Sequence, residues 1–182
     1  MATEEIAHSV ISEEGAIQIR EYEPTVIAEV KVKAPRREAT GRAFRVLFNY
    51  IQGDNAEEQK IPMTAPVSQE MPMSAPVPSD SGKESEWLIA FYMPNDMSFE
   101  ATPEPSNSNV AIRQVPARKM AAIKFSGFAN DENINEHEQQ LRAYLKDNDI
   151  AYEDKPLYAF YDAPMKPWFL RRNEVLFPLI KE

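Results

Sequence analysis

Two stretches that match each other at a constant spacing decide the fold. Residues Ile17–Val32 read IQIREYEPTVIAEVKV, and residues Val110–Phe125 read VAIRQVPARKMAAIKF. At an offset of 93 residues Arg20 aligns with Arg113, and apolar residues align with apolar residues at Ile17, Ile19, Ala28, Val30 and Val32. Each stretch contains two runs of alternating apolar and polar residues around a proline, which is the pattern of two strands joined by a turn. We therefore predict one hairpin in each stretch and an internal duplication of the chain.

The same order of elements follows each stretch. A helical pattern covers residues 36–51 in the first half and 131–148 in the second, and two further strand candidates come after each helix. These candidates are Lys60–Val67, Trp87–Met93, Leu157–Tyr161 and Asn173–Ile180. Chance similarity between two hairpins is the alternative explanation, but the shared order favours duplication.

The predicted fold class is α+β. Short connections imply mostly antiparallel pairing, and a duplicated sheet that curls on itself hides its edges. We therefore expect a distorted eight-stranded, mostly antiparallel β-barrel of two pseudo-symmetric halves with two flanking α-helices. The 182 residues suit one globular domain. We predict an N-terminal extension over 1–16 and a single domain over 17–182, with its halves at about 17–94 and 110–180.

The composition excludes several classes of protein. The formal charge of −9 argues against a nucleic-acid-binding surface. The absence of cysteine excludes disulfides and thiolate metal sites. No apolar run approaches the roughly 18–20 residues that cross a bilayer, and the N-terminal residues lack a signal-peptide pattern. We expect no membrane span and a soluble cytoplasmic protein, or an organellar one if a transit peptide has been removed.

No motif of a known catalytic site occurs, neither GxSxG, HExxH, a P-loop nor GxGxxG. We therefore name no catalytic residue and no metal ligand, and favour binding over catalysis. His137 lies on the apolar face of the second helix between Ile134 and Leu141, and we predict a hydrogen-bonded packing residue there.

One edge of the first helix is unusual. Its apolar arc spans about 200°, roughly twice the width that packing on a sheet requires. Arg37, Gly41, Phe44 and Phe48 follow one edge of that arc. A glycine inside a helix costs about 1 kcal/mol relative to alanine, which indicates a close approach to its backbone. One interpretation is that this edge forms a wall for a flat, apolar, anionic ligand. The alternative is that the two phenylalanines are ordinary core residues covered by a loop.

Several motifs of the chain resemble those of the SOUL haem-binding protein family. They are NYIQGDN (Asn49–Asn55), KIPMTAPV (Lys60–Val67) and YDAPMKPWFLRRNEVLF (Tyr161–Phe177), with IREYEPTVIAEV near the start. The resemblance extends from about residue 17 to residue 180. It implies the same two-halved barrel, a fold shared with bacterial effector-binding domains that hold hydrophobic ligands.

The resemblance also implies a function, namely binding of haem or a related tetrapyrrole in a shallow apolar groove, with no settled enzymatic reaction. In the family one wall is the first helix and the other is the loop before the last strand, with basic side chains near the propionates. Matched position by position, the walls are Gly41, Phe44, Leu47 and Phe48 on the helix and Met165, Lys166, Pro167 and Trp168 on the loop. Lys166 is the residue that this resemblance matches to a propionate contact.

The chain departs from the family pattern at two positions. Some relatives carry an arginine where this chain has Gly41, so Arg37, Arg42 or Arg45 would supply that charge here. Other relatives carry a histidine, proposed as an axial iron ligand, where this chain has Glu21. Glu21 is a poor haem ligand, which leaves the thioether of Met63, or no protein ligand at all.

We accordingly predict a soluble, non-catalytic haem- or tetrapyrrole-binding protein that acts as a buffer or carrier. Two alternatives stay open. One is an effector-binding or protein-interaction module for another amphipathic ligand, and the other is an enzyme that acts on tetrapyrroles. No protein partner is identified from the sequence.

Overall fold

The computed structural model describes residues 3–70 and 84–180, which contain two α-helices and nine strands. The helices are α1 (Arg36–Ile51) and α2 (Asp131–Asp147). The strands are β1 (His8–Glu14), β2 (Ile17–Tyr22), β3 (Thr25–Ala34), β4 (Val67–Glu70), β5 (Ser85–Tyr92), β6 (Val110–Val115), β7 (Arg118–Phe125), β8 (Leu157–Phe160) and β9 (Asn173–Pro178). No helix in these described ranges is both long enough and apolar enough to cross a membrane. The predicted α+β class is confirmed.

The strands belong to two compact units. The first unit comprises Met1–Ile6 and Pro24–Pro116, and the second comprises Ala7–Glu23 and Ala117–Glu182. In the first unit the strand order is β4-β5-β3-β6, and in the second it is β1-β2-β7-β9-β8. Every strand pair within each unit is antiparallel.

The helices lie where the sequence pattern predicts them. The helix α1 has the predicted bounds, and α2 ends one residue before its predicted end. Buried small and apolar residues of α1 recur every four positions at Ala39, Ala43 and Leu47, and this face packs on β3 and β5. In the second unit α2 packs on β7 and β9, and the Asn130 side chain caps its first turn by accepting a hydrogen bond from the backbone N–H of Asn133.

The predicted hairpins are wrong. The strand β2 pairs with β1 and β7, whereas β3 pairs with β5 and β6, so the chain passes from the second unit into the first at Pro24. The second stretch separates in the same way, since β6 belongs to the first unit and β7 to the second. An alternating pattern specifies a strand and its buried face, but it does not specify which strand lies beside it.

The β2–β7 pair and the β3–β6 pair have the same register. Ile17 lies opposite Ile123, and Val110 lies opposite Val30. These two pairs are equivalent to each other at the offset of 93 residues found in the sequence. The matched register and the matched strand order in the two units support the proposal of an internal duplication.

The structure has nine strands in its described part, where the sequence predicted eight. The additional strand is β1, within the predicted N-terminal extension, and it pairs antiparallel with β2. Its two large aliphatic residues, Val10 and Ile11, are adjacent in sequence, so β1 lacks the alternation that reveals a strand. The strand β4 also begins at Val67, the residue where its predicted candidate ends. Closure into a barrel and the division at residue 16 stay proposals.

Candidate functional site

The exposed edge of α1 is the first candidate surface. Phe44 and Phe48 are 37% and 40% exposed, and their rings stack with centroids 5.9 Å apart. Phe44 also contacts the buried ring of Phe91 edge-on, at 5.2 Å between centroids. The two phenylalanines are therefore not ordinary core residues. They form an apolar surface that is anchored on one side by the core of the first unit.

Gly41 lies one turn before Phe44 on the same helix and is exposed. Among the described residues, a Cβ atom at Gly41 would meet nothing within 4 Å beyond its chain neighbours and the backbone of its own helix. Packing within this described part of the protein therefore does not require a glycine at position 41. The residue leaves the helix backbone bare beside the stacked rings.

Three of the four arginines of α1, namely Arg37, Arg42 and Arg45, are exposed. Arg42 forms an ion pair with Glu38 one turn earlier. Within the described part of the chain, neither Arg37 nor Arg45 forms an ion pair or a side-chain hydrogen bond. These two guanidinium groups are the cations that the helix offers to an anionic ligand. We name the set Arg37, Gly41, Phe44, Arg45 and Phe48 the α1 edge.

Two other residues predicted for the site have different positions in the first unit. Leu47 is wholly buried on the inner face of α1, so it supports the helix from beneath and is not available at its surface. Met63 is exposed and lies in the segment between α1 and β4. That segment is held by a hydrogen bond from the backbone N–H of Ile61 to the carbonyl of Ile51 (2.8 Å) and by one from the Thr64 hydroxyl to the carbonyl of Tyr92.

The predicted loop residues all lie in the second unit, just before β9. Met165 is 93% exposed, Pro167 is exposed, and Trp168 is 51% exposed. The Trp168 indole stacks on the ring of Phe128 with centroids 5.5 Å apart. This loop is the second candidate surface.

Lys166, the predicted propionate contact, already has an anionic partner. Its ammonium group lies 2.6 Å from Oδ1 of Asp162, and the other Asp162 oxygen accepts a hydrogen bond from the backbone N–H of Arg172 at 2.6 Å. Burial by itself would raise the pKa of Asp162, but these contacts outweigh it and hold the pKa below its ordinary value. A ligand carboxylate at Lys166 therefore has to share the ammonium group with Asp162.

A buried ionic network in the second unit was not predicted from the sequence. The Arg20 guanidinium on β2 binds both oxygens of Glu174 on β9, at 2.7 and 2.8 Å, and neither side chain has any exposed surface. Glu174 also accepts hydrogen bonds from the Tyr161 hydroxyl (2.9 Å) and from Arg172. The network joins the IREYEP and RRNEV motifs, which are 154 residues apart in sequence. Only their joint occurrence in the resemblance could have revealed it.

The network fixes the protonation of its members. Burial alone would raise the pKa of Glu174, but the hydrogen bonds and charge of Arg20, together with those of Arg172, hold it below its ordinary value. Burial, followed by the negative charge of Glu174, raises the pKa of the Tyr161 phenol. Near neutral pH, Glu174 is therefore a carboxylate and Tyr161 is a phenol. A carboxylate held ionised by two arginines is a poor general acid or base.

The histidine on α2 has the packing role that the sequence predicts. Nδ1 of His137 lies 2.7 Å from the backbone carbonyl of Asn133, and its ring stacks on Phe125 with centroids 4.2 Å apart. Glu21, at the position where some relatives carry histidine, is exposed on β2. Among residues 3–70 and 84–180, no cluster of three histidine, aspartate or glutamate side chains is arranged to hold a metal ion.

Comparisons with known proteins agree with the resemblance of the motifs. "Heme-binding protein 2" of Homo sapiens is 30% identical over 171 residues, which cover 88% of this chain and 80% of that protein. "Heme-binding protein 1" of Sus scrofa is 31% identical over 143 residues, which cover 78% of this chain and 71% of that protein.

Two solved structures resemble this one in fold alone, because their sequence identity is low. One is described as "Crystal structure of EcmrR C-terminal domain", with a TM-score of 0.68, 12% identity, and 91% of this chain and 98% of that chain covered. The other, SAV2435 bound to tetraphenylphosphonium, has a TM-score of 0.53 and 10% identity, with 90% and 93% covered.

The extent of the family match settles the assignment. A model described as "SOUL heme-binding protein" matches residues 3–178, which is nearly the whole sequence. The chain therefore belongs to the SOUL haem-binding protein family.

Proposed function

We propose that this protein binds haem or a related tetrapyrrole without converting it, and that it acts as a buffer or carrier in the cytoplasm. The family and the names of the relatives support this ligand class. The observation that carries the proposal is the α1 edge, where Phe44 and Phe48 expose a stacked pair of rings beside the bare backbone of Gly41.

The chemistry of the α1 edge fits a tetrapyrrole. The macrocycle is flat and apolar on both faces, and its burial against aromatic rings is favourable at about 25 cal/mol per Å². Its propionates are anionic, and Arg37 and Arg45 are exposed cations on the same helix. Charge-assisted hydrogen bonds from these guanidinium groups would orient the ring. The proposal needs no axial ligand from the protein, because it rests on contacts with the macrocycle and its carboxylates.

The loop of the second unit is proposed separately, as a surface that the family resemblance implies. Lys166 would contact a propionate there, and Met165, Pro167 and Trp168 would contact apolar parts of the ligand. The exposure of these side chains supports this assignment, whereas the ion pair between Lys166 and Asp162 weakens it. Each surface therefore needs its own test.

The α1 edge is tested by titrating haem and following the Soret band. Phe48→Ser should weaken binding about 30-fold, since covering its exposed part, roughly 80 Å², contributes about 2 kcal/mol. The matched control is Phe99→Ser, because Phe99 is 43% exposed in the same unit and lies outside the α1 edge. Equal affinity of the Phe48 and Phe99 variants would exclude the α1 edge as the binding surface.

The loop is tested by reversing the charge of one lysine. Lys166→Glu should weaken haem binding, whereas Lys155→Glu should leave it unchanged. Lys155 is a close match, because it lies in the same unit, has 39% of its side chain exposed against 41% for Lys166, and also pairs with a nearby carboxylate. If the two variants bind haem equally well, the loop does not contact the propionates.

The two alternative functions give different outcomes with the same protein. Thermal stabilisation by haem is expected from our proposal, because a ligand that binds only the folded state raises its stability. Stabilisation by a bile acid and none by haem would instead favour an effector-binding module. Formation of a product from bound haem or a bilin, detected by absorption and mass spectrometry, would favour an enzyme.

A further inference from the structure

Four large apolar side chains project from one short turn of the second unit. They belong to Met165, Trp168, Phe169 and Leu170, and the last two are 57% and 56% exposed. Pro167 precedes a single 3-10 turn formed by residues 168–170, so three consecutive apolar residues share that turn. We name residues 165–170 the apolar turn. Consecutive exposed side chains of this size are uncommon on a protein surface unless the surface binds something.

Hydrogen bonds and ring contacts connect the apolar turn to its surroundings. The backbone N–H of Gly127 donates a hydrogen bond to the carbonyl of Trp168 (3.0 Å), and Phe128, itself half exposed, stacks on the indole. Nε of Arg171 donates to the carbonyl of Lys166 at 2.8 Å, and the Arg171 guanidinium lies 5.8 Å from the centre of the Phe128 ring. The apolar side chains therefore extend from a backbone that is hydrogen-bonded at Lys166 and at Trp168.

The charges around the apolar turn are positive once the local ion pairs are counted. Asp162 is engaged by Lys166, and Glu174 is engaged by Arg20 and Arg172. In the described part of the chain, Arg171 forms no ion pair with a carboxylate, and its side chain donates hydrogen bonds to the backbone carbonyls of Lys166 and Pro164. A cation consequently borders an apolar surface, although the whole chain carries a formal charge of −9.

We propose that the apolar turn docks the protein reversibly on an anionic lipid surface. Tryptophan and phenylalanine favour the boundary between lipid headgroups and acyl chains. An arginine at the margin of such a surface keeps its charge among the headgroup phosphates while its stem covers apolar area. The pairing of exposed aromatic and aliphatic side chains with an uncompensated guanidinium fits an anionic bilayer. A protein partner, by contrast, would have to present a carboxylate to Arg171.

The position of Trp168 allows a direct test with haem-free protein. The chain has two tryptophans, and Trp87 is buried, so a spectral change on vesicle binding reports on Trp168. Vesicles of phosphatidylcholine with 30% phosphatidylserine should shift its emission to shorter wavelength, and brominated lipids should quench it. Vesicles of phosphatidylcholine alone should bind at least ten-fold more weakly.

A pair of double variants identifies the docking residues by vesicle co-sedimentation. Phe169→Ser with Leu170→Ser should reduce partitioning into the anionic vesicles at least ten-fold. The matched control is Val10→Ser with Ile11→Ser, which removes two aliphatic residues of similar exposure, 48% and 52%, from β1 of the same unit. The control should partition like the unmodified protein, and circular dichroism should show all proteins folded.

Several results would overturn the proposal. They are an unchanged Trp168 emission, equal binding to neutral and anionic vesicles, and equal loss of partitioning in the two double variants. Concentration-dependent self-association that the Phe169 and Leu170 changes abolish, without vesicle binding, would assign the apolar turn to a second copy of the chain. The apolar turn shares residues 165–168 with the loop proposed for haem, but the vesicle experiments use haem-free protein and change only Phe169 and Leu170. Failure of either proposal therefore leaves the other standing.

Discussion

Replacing Gly41 by alanine should affect stability and haem affinity in opposite directions. Gly41 lies inside α1 with a helical backbone, and within residues 3–70 and 84–180 the added methyl group would meet nothing within 4 Å outside its own helix. Alanine is favoured over glycine in a helix by about 1 kcal/mol, because glycine loses more backbone entropy on folding. The haem-free variant should therefore be more stable by about that amount, with a melting temperature roughly 2–4 °C higher for a chain of this size.

The expected loss of affinity follows from the exposure of the two phenylalanines. With roughly 200 Å² for a phenylalanine side chain, the exposed parts of Phe44 and Phe48 total about 150 Å². Covering them with a macrocycle contributes about 4 kcal/mol. A methyl group at Gly41 would lift the ring by about 0.5–1 Å, which forfeits a quarter to a half of the contact energy. Haem affinity should therefore fall by about 5- to 30-fold.

The assay combines thermal unfolding of the haem-free protein with haem titration of the same sample. The matched control is Asn135→Ala on α2, an exposed helical position in the other unit, where alanine raises stability by up to about 0.7 kcal/mol. This control should gain stability and keep its haem affinity. If Gly41→Ala binds haem as tightly as the unmodified protein, the macrocycle does not lie over the helix backbone and our explanation of the glycine is wrong.

Three further predictions concern the second unit. If the loop binds a propionate, Asp162→Asn should raise haem affinity a few-fold. The asparagine oxygen still accepts the hydrogen bond from the Arg172 N–H, but the ion pair that engages Lys166 is lost. Isothermal titration of haem measures this change in affinity. Glu174→Gln should cost about 3 kcal/mol at pH 7, since it leaves Arg20 buried without its partner. The pKa of Glu174 is lowered from 4.5, so the stability it contributes is present above that pH and is lost as the pH falls through the lowered value. The cost measured by urea unfolding should therefore be smaller at pH 3, and an equal cost at both pH values would contradict the ionic interpretation. His137→Ala should lower the free energy of unfolding by about 1–3 kcal/mol through lost packing on Phe125. It should leave the Soret maximum and the haem affinity unchanged. A blue-shifted, weakened Soret band in this variant would instead place haem at α2.

The sequence predicts the helices and most strands well, because their apolar periodicity is a local property. The bounds of α1 are reproduced in full, and β7 and β9 contain short apolar runs that include buried residues such as Ile123 and Val175. The pairing of β2 could not be predicted, since an alternating strand fits several neighbours equally well. The strand β1 was missed because the adjacent Val10 and Ile11 leave it without alternation.

The candidate site is predictable to a lesser extent. The helix wheel identifies Phe44 and Phe48 because an amphipathic arc that is too wide leaves apolar residues at the surface. The family resemblance, and not the wheel, assigned Leu47 to the same wall, and Leu47 is wholly buried on the inner face of the helix. The ion pair between Lys166 and Asp162 and the buried pair of Arg20 and Glu174 depend on side-chain geometry that no local pattern encodes.

The proposal that haem lies on the α1 edge is tested most directly by nuclear magnetic resonance of the ¹⁵N-labelled protein. Paramagnetic ferric haem broadens the amide signals of residues close to its iron, and the diamagnetic gallium protoporphyrin provides the reference. We predict strong, selective broadening at Gly41, Phe44, Arg45 and Phe48, with the signal of His137 retained. Broadening around His137 on α2, with the signals of residues 41–48 retained, would contradict the account.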